Sequence, residues 1–178
     1  MFPNWFNNVS PYFDRKCPQI PLRALQIGTY TGDATEWLLI NRDIVTIDDV
    51  DTWEGSEEQQ HESLDFNSVE SYYDSRFANT SKIIKHKMTS DEFFNTNKKT
   101  FNFIYIDGSH TALQTALDGL NAFKVLELGG VMAFDDYLWG EGGKAFLEPK
   151  RGIDAFLSVC EGEVNVIEMG YQVWISKC

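Results

Sequence analysis

Two short apolar segments that each end in aspartate constrain the fold of this chain more than any other feature. The first is Phe101–Ile106, followed by Asp107, and the second is Gly130–Phe134, followed by Asp135 and Asp136. The segment between them carries leucines at helical spacing. A strand, a helix and a second strand form a β-α-β unit, in which both strands must run in the same direction. The three aspartates are therefore predicted to meet at one edge of a parallel sheet, where such sheets bind ligands.

Asp107, Asp135 and Asp136 would repel one another if all three were ionised side by side. Such a cluster takes up protons unless a cation holds it. Because every ligand atom would be an oxygen, Mg²⁺, Mn²⁺ or Ca²⁺ suits the cluster better than zinc. The sequence therefore predicts a divalent-cation site, and a plain acidic loop is the less favoured interpretation.

The first part of the chain has the pattern of a cofactor cradle. Leu22–Ile27 reads as a strand, Gly28–Gly32 as a turn and Asp33–Ile40 as a helix. Glycine lets the backbone approach a ligand, and the free N–H groups of a first helical turn face it. The spacing Gly-x-x-x-Gly lacks the Gly-x-Gly-x-x-Gly fingerprint of dinucleotide sites, which argues against a nicotinamide-dependent dehydrogenase.

A second short strand is predicted over Ile44–Ile47, and it too ends on acid, at Asp48 and Asp49. A carboxylate about 20 residues beyond the glycine turn is placed to accept hydrogen bonds from the two hydroxyls of a ribose. We expect Asp48 to fill this role. The alternative is an acid in a solvated turn, and the glycine turn upstream favours the ribose site.

The remaining segments complete a three-layer α/β fold. Strands are predicted over 81–87 and in a terminal hairpin, Val164–Met169 and Tyr171–Ser176, and a helix over 152–159. In the predicted helix 112–128, the residues expected to face the core are Leu113, Leu117, Leu120 and Phe123. With 178 residues, the chain is predicted to be one domain. Residues 1–21, with a helix near 4–15, would cover the sheet, and 51–80 would form a lid-like insertion with a helix near 65–77.

Composition excludes several classes of protein. A net charge of -12 argues against a nucleic-acid partner, because such binding depends on cations that neutralise phosphates. Cys17, Cys160 and Cys178 are scattered, which fits a reduced cytoplasmic protein better than a disulfide framework. Neither a signal sequence nor an apolar stretch long enough to span a membrane is evident, so we expect no membrane partner.

Five segments together resemble the class I S-adenosylmethionine-dependent methyltransferases, and within them the small methyltransferase family 24. They are Leu25–Gly32, Thr46–Asp48, Trp53–Gly55, Tyr105–His110 and Gly129–Asp136. The resemblance implies a Rossmann-like sandwich whose seven-stranded, mostly parallel sheet ends in an antiparallel hairpin. It also implies S-adenosylmethionine as cofactor, with methionine over the glycine turn, ribose on Asp48 and adenine near Met88–Ser90.

The cofactor-binding residues that the resemblance implies are Gln26, Gly28, Thr29, Tyr30, Gly32, Asp48, Thr89, Ser90 and Asp107. One position departs from the family pattern, which has glutamate where this chain has Gln26. Gln26 can still form hydrogen bonds, but it lacks the negative charge that would attract the cationic end of the cofactor. A weaker cofactor site is therefore expected rather than a different fold.

The metal-dependent O-methyltransferases take one ligand from the end of the fourth strand and two from the end of the fifth. The resemblance places Asp107, Asp135 and Asp136 at these positions. It places His110 at the position where catechol O-methyltransferase has a lysine that acts as the base. It implies methyl transfer to a small hydroxylated acceptor, with Mg²⁺ or Mn²⁺, or alternatively Ca²⁺, lowering the pKa of the hydroxyl and His110 removing its proton.

Two other functions stay open at the level of sequence. One is methyl transfer without a metal, with the acids binding the substrate, and the other is a non-catalytic protein that only binds S-adenosylmethionine. Sugars, nucleotide-linked sugars, small phenols and polyketide-like hydroxyls are all compatible acceptors. The short chain also allows homo-oligomers in which a neighbouring subunit builds part of the pocket.

Overall fold

The computed structural model describes residues 2–55, 64–140 and 144–178. Its strands are β1 (Leu22–Ile27), β2 (Ile44–Asp51), β3 (Ile83–Lys87), β4 (Phe101–Ile106), β5 (Leu126–Phe134), β6 (Val164–Met169) and β7 (Val173–Lys177). Its α-helices are α1 (Ser10–Lys16), α2 (Asp33–Asn41), α3 (Phe66–Phe77), α4 (Ser90–Thr96), α5 (Ala112–Val125) and α6 (Pro149–Val159). Short 3₁₀ helices cover Phe6–Asn8 and Ala145–Leu147.

All seven strands belong to one sheet, in the order β3-β2-β1-β4-β5-β7-β6. The first five strands run parallel, whereas β7 is antiparallel to both β5 and β6. The predicted α/β class and the antiparallel hairpin are confirmed. Since β1 lies between β2 and β4, the strand order reverses at β1, and a ligand is expected beyond the carboxyl ends of the strands at this switch point.

Helices cover both faces of the sheet and make three layers. On one face, α4, α5 and α6 bury Phe93, Ala122 and Phe156 against the sheet. On the other face, α1 and α2 pack in a second cluster, where Phe13 is fully buried. The Phe13 ring meets Tyr105 and Trp174 edge-on, at 4.8 and 5.0 Å between ring centroids. This contact holds the N-terminal segment on the sheet.

Helix α5 buries a different face from the one predicted. Leu113 is 72% exposed and Leu117 is 38% exposed, while Leu120 and Phe123 are partly buried. The buried residues of the helix are instead Thr115, Asp118, Gly119 and Ala122. A Cβ on Gly119 would lie 2.8 Å from the Phe134 ring, so the absence of a side chain lets the helix approach β5 closely. The helix therefore turns a small and polar stripe toward the sheet.

Two strand boundaries also differ from the predicted ones. Strand β2 continues to Asp51, four positions beyond Ile47, because the acids within it are buried with partners rather than turned to solvent. Strand β5 begins at Leu126, directly after α5, and the β4–β5 register shifts between Phe101 and Phe103. Gly130, the predicted start of β5, lies inside the strand, next to this irregularity.

The predicted lid falls partly outside the described residues, which omit 56–63. The described part contains α3, whose first turn is capped by the Asp65 side chain. Val69 and Tyr73 are buried in a cluster with Trp53, so this helix belongs to the packed fold. None of the described helices is long and apolar enough to cross a membrane.

Candidate active site

A cavity of about 920 Å³ opens at the carboxyl ends of the central strands. Its wall contains Gly28 after β1, Asp51 at the end of β2, Asp107 after β4 and Asp136 after β5. Small-molecule sites typically measure roughly 300–1,000 Å³, so the volume is adequate for a nucleoside-sized cofactor beside a small second ligand. The cavity lies where the switch point of the sheet predicts a site.

The glycine turn is held to the end of β2 by Asp51. Its Oδ2 atom accepts hydrogen bonds from the backbone N–H groups of Thr29 and Tyr30, at 2.7 and 2.8 Å. Its Oδ1 atom accepts one from the Trp53 N–H at 2.7 Å. Gly28 has a φ of 81°, and a Cβ there would lie 1.9 Å from the Asp107 carbonyl oxygen. The turn and the β4 end therefore pack backbone against backbone.

The structure corrects the prediction for Asp48. This residue is fully buried and does not line the cavity. Its Oδ1 atom lies 2.6 Å from Lys99 Nζ and 2.7 Å from His86 Nε2. These partners come from β3 and the segment before β4, and they allow the carboxylate to sit inside the sheet. The acid that faces the cavity at the end of β2 is Asp51.

Gln26 lies behind the turn rather than in the cavity wall. It is 2% exposed, and its amide donates a hydrogen bond of 2.9 Å to the Gly28 carbonyl oxygen. The Thr35 hydroxyl contacts both Gln26 Oε1, at 3.0 Å, and Asp49 Oδ2, at 2.9 Å. Among the residues implied for the cofactor, Gln26 thus shapes the turn from behind.

Of the other residues implied for the cofactor, some line the cavity and some are buried behind its wall. Gly28, Tyr30, Thr89, Ser90 and Asp107 line the cavity. Thr29 and Gly32 are buried behind it, and a Cβ on Gly32 would lie 2.3 Å from the Phe77 ring. Gly32 therefore makes room for α3, not for a ligand.

One end of the cavity has an acid that sequence reasoning missed. Asp118 of α5 is 1% exposed and accepts a hydrogen bond of 3.0 Å from the Gln114 amide. Burial raises its pKa to about 6. Met88 and Ser90 line the same cavity, and Ser90 follows Thr89, the N-cap of α4. No sequence signal pointed to Asp118, because the leucine pattern of α5 predicts that a different face of the helix is buried.

At the opposite end, Asp107, His110 and Asp136 come together. Each offers one ligand atom, and these atoms lie within 4.8 Å of one another. His110 Nε2 is 2.8 Å from Asp136 Oδ2, and the Tyr171 hydroxyl donates a hydrogen bond of 2.8 Å to Asp136 Oδ1. Asp136 has a φ of 57°, a backbone conformation that costs energy in a residue other than glycine and is common at functional sites. This group could hold a divalent cation.

Asp135 stands beside this group but is not part of it. Its carboxylate is buried and accepts a short hydrogen bond from the Tyr105 hydroxyl, which also lies 3.2 Å from Asp107 Oδ2. The Asp136 N–H donates to Asp135 Oδ1 at 2.8 Å. The sequence placed Asp135 among the metal ligands with His110 outside, whereas the geometry gathers His110 with Asp107 and Asp136.

The electrostatics of this end favour uptake of positive charge. Burial raises the pKa of Asp107 well above its ordinary value, and repulsion from Asp135 and Asp136 raises it further. Burial, followed by the charge of Asp136, raises the pKa of Asp135 to about 7. A proton or a cation relieves such repulsion. The cluster is therefore suited to a cation or to work on a proton.

Comparison with known proteins identifies the fold and the family. No curated protein sequence matches the chain significantly. The N-methyltransferase NodS of Bradyrhizobium japonicum WM9 superposes with a TM-score of 0.64 at 13% identity, covering 96% of this chain and 92% of that one. An O-methyltransferase of Bacillus cereus, solved with S-adenosylhomocysteine, gives a TM-score of 0.61 at 16% identity over 88% and 74% of the two chains. At such identities these structures establish the fold alone.

The family assignment rests on the sequence. The family 24 model, described as a methyltransferase domain, matches residues 25–137, more than half of the 178-residue chain. This range contains the glycine turn, Asp51 and the cluster formed by Asp107, His110 and Asp136. The chain therefore belongs to methyltransferase family 24 and is an S-adenosylmethionine-dependent methyltransferase.

Proposed function

We propose that this protein transfers the methyl group of S-adenosylmethionine to a hydroxyl oxygen of a small acceptor, with help from a divalent cation. The observation that carries the proposal is the convergence of Asp107, His110 and Asp136 within 4.8 Å at one end of the cavity. Methyl transfer to a hydroxyl must remove a proton as the carbon–oxygen bond forms. A cluster that can hold a cation or accept a proton is what this reaction requires.

The other end of the cavity fits the adenosine part of the cofactor. Asp51 accepts three hydrogen bonds from backbone N–H groups, and because a carboxylate offers about four acceptor positions, one position remains for a ribose hydroxyl. Met88 and Ser90 line the same cavity, and Asp118 offers an acceptor to an adenine amino group. We therefore assign the ribose to Asp51 and the adenine to the region of Ser90 and Asp118.

Asp107 and Asp136, with His110 beside them, would hold the cation. Oxygen-rich ligand sets suit Mg²⁺ or Mn²⁺, and a single imidazole is compatible with Mn²⁺. When bound, the cation would lower the pKa of the acceptor hydroxyl. Tyr171 fixes the orientation of Asp136 through its hydrogen bond, and Tyr105 holds Asp135 behind Asp107. Asp135 would then lie behind the residues that hold the cation, accepting hydrogen bonds from Tyr105 and from the Asp136 N–H.

The reaction itself is a displacement in which the sulfur–methyl bond breaks while the methyl–oxygen bond forms, leaving S-adenosylhomocysteine and a methyl ether. Holding the two reactants in line can contribute several kcal/mol. The cavity wall supports such positioning with rigid groups. The Trp139 ring packs on the His110 ring, with 4.4 Å between the centroids.

A second candidate is methyl transfer without a metal. His110 Nε2 lies 2.8 Å from Asp136 Oδ2, which is the geometry of a carboxylate that orients an imidazole base. In this arrangement Nε2–H would donate to Asp136, and Nδ1 would accept the hydroxyl proton. Because Nε2 cannot bind a metal while it carries that hydrogen, the two mechanisms exclude each other at Nε2.

A methyl-transfer assay separates the two. The protein is incubated with S-adenosylmethionine labelled in the methyl group and with a panel of hydroxylated compounds, with a chelator or with added Mg²⁺ or Mn²⁺. Loss of transfer with the chelator and recovery with the ion support the first mechanism. Full activity with the chelator supports the second. Label on nitrogen rather than oxygen, located by mass spectrometry, would contradict O-methylation.

A further inference from the structure

The cavity is acidic along its whole length. Among the residues that the structure describes, six aspartates and no lysine or arginine line it. The aspartates are Asp51, Asp91, Asp107, Asp118, Asp135 and Asp136. The ranges 56–63 and 141–143, which the structure leaves undescribed, contain no lysine or arginine in the sequence either. Among the described wall residues, His110 is thus the one basic side chain, and it already contacts the Asp136 carboxylate.

Bound cofactor and cation would not reverse this charge. S-adenosylmethionine carries one net positive charge and a divalent cation carries two, so together they offset three of the six acids when all are ionised. The raised pKa values of Asp107, Asp118 and Asp135 reduce the remaining negative charge without making the site positive. An acceptor with a phosphate or carboxylate would bring further negative charge into a site where the bound cofactor and cation already face aspartates and where no described wall residue is a lysine or arginine. Moving an unpaired charge out of water is costly, so this cavity selects against such acceptors.

The wall at the acceptor end is also aromatic. Trp139 packs on His110, with 4.4 Å between the ring centroids. Tyr171 completes this surface beside Asp136. Aromatic faces together with carboxylates attract organic cations, because the ring face is negative and the cation keeps favourable partners as it loses water.

A cation already lies on one of the rings in this region. The Arg15 guanidinium lies 5.0 Å from the centre of the Tyr12 ring. Tyr12 lines the cavity and Arg15 does not. The guanidinium therefore contacts a wall residue without contributing a basic group to the wall.

On the basis of the function proposed above, we propose that the methyl acceptor carries a protonated amine and no phosphate or carboxylate. This narrows the acceptors compatible with the sequence, because nucleotide-linked sugars carry a diphosphate. The amine would sit among the aromatic faces and the carboxylates at the end of the cavity that contains Asp136. Whether the hydroxyl belongs to a phenol or a sugar is decided by the same experiment.

Calorimetric titration of the full chain with matched ligands tests the proposal. The pairs are tyramine with 4-hydroxyphenylacetate and glucosamine with glucuronate, each pair sharing a scaffold and differing in charge. Titrations are run with saturating S-adenosylhomocysteine, with and without Mg²⁺. We expect the amine to bind about tenfold more tightly than the carboxylate in at least one pair, since the two ligands of a pair differ by two unit charges in a partly desolvated site.

Equal or tighter binding of the carboxylates would overturn the proposal, and so would the failure of both amines to bind at millimolar concentration. A different result would contradict the proposed function alone: an amine that binds with the expected preference but receives no labelled methyl group. Asp136→Asn should reduce the ratio of amine affinity to carboxylate affinity several-fold. Asp14→Asn, at an exposed position of α1 outside the cavity, should leave it unchanged.

Discussion

His110 and Asp136 form a close pair, with Nε2 of the imidazole 2.8 Å from Oδ2 of the carboxylate. The pair joins the end of β4 to the end of β5. In both mechanisms proposed above the imidazole takes part in the reaction, as a ligand of the cation or as the base, so its loss should slow the methyl-transfer step itself. We expect His110→Ala to lower kcat by on the order of a hundredfold and to leave affinity for S-adenosylhomocysteine almost unchanged.

His86 provides a matched control for this prediction. It lies in β3 and contacts the buried Asp48, outside the cavity wall. His86→Ala should lower stability because it removes a partner of a buried carboxylate, while kcat of the folded enzyme stays near that of the wild type. Full turnover by the His110→Ala enzyme on its acceptor would return His110 to a structural role.

Asp51 and Asp48 give opposite predictions for cofactor binding. Asp51→Asn should weaken binding of S-adenosylhomocysteine by roughly tenfold to a hundredfold, as expected when about 1–3 kcal/mol of hydrogen bonding is lost. Asp48→Asn should lower the melting temperature instead, because Asp48 pairs with Lys99 and His86 inside the sheet. Calorimetry and thermal denaturation of both variants make the comparison. A cofactor site that depends on Asp48 and not on Asp51 would refute our assignment.

Gly28 should tolerate no side chain. Gly129 is the control, because it shares the positive φ of Gly28 but has open space around it. Both have positive φ, 81° and 72°, so alanine costs each about 1 kcal/mol in backbone strain. Only at Gly28 would the new Cβ meet another group, the Asp107 carbonyl oxygen at 1.9 Å, while nothing lies within 4 Å at Gly129. Gly28→Ala should therefore lower the free energy of unfolding by clearly more than Gly129→Ala. Similar losses for the two variants in urea denaturation would show that the turn can move away from β4.

The raised pKa of Asp49 should make the free energy of unfolding depend on pH. Burial raises its pKa to about 7, although hydrogen bonds from Tyr73 and Thr35 oppose the shift. The Thr35 hydroxyl has one proton for two acceptors, Gln26 and Asp49, so a protonated Asp49 relieves the shortage. The folded state then binds more protons than the unfolded state between about pH 4 and pH 7, and stability from this group falls as pH rises through 7.

Asp49→Asn isolates this contribution, because it keeps a neutral side chain of the same shape at every pH. We expect the decrease in unfolding free energy between pH 5 and pH 8 to be smaller in the variant, by a few kcal/mol at most. Asp14→Asn, at an exposed site, serves as control. A variant with the same pH dependence as the wild type would mean that Asp49 is ionised in the folded protein at neutral pH.

The sequence was sufficient to predict the β-α-β unit that carries the site. Phe101–Ile106 and the run before Asp135 are strongly apolar, and only a parallel arrangement brings their acidic ends together. The sheet and its terminal hairpin followed from the same periodicity. These features depend on local patterns, which the sequence displays directly.

The residues that were misplaced depend on partners far along the chain. Asp48 looked like a strand end, but Lys99, 51 positions away, pairs with it and lets β2 continue to Asp51. The leucines of α5 looked like a core stripe, but Gly119 allows the opposite, smaller face to approach β5. Asp135 and Asp136 are neighbours in sequence, but Tyr105 holds the Asp135 carboxylate, whereas Asp136, at positive φ, contacts His110.

The most direct test of the account is the effect of Mg²⁺ or Mn²⁺ on the melting temperature of the wild type and of two neighbouring variants, Asp136→Asn and Asp135→Asn, all with S-adenosylhomocysteine bound. A cation that binds only the folded protein at a concentration well above its Kd should raise the melting temperature by roughly 5 °C. We predict that Asp136→Asn abolishes this rise and that Asp135→Asn keeps most of it. No rise in the wild type at millimolar ion, or a rise that disappears with Asp135→Asn and persists with Asp136→Asn, would contradict the cation site formed by Asp107, His110 and Asp136.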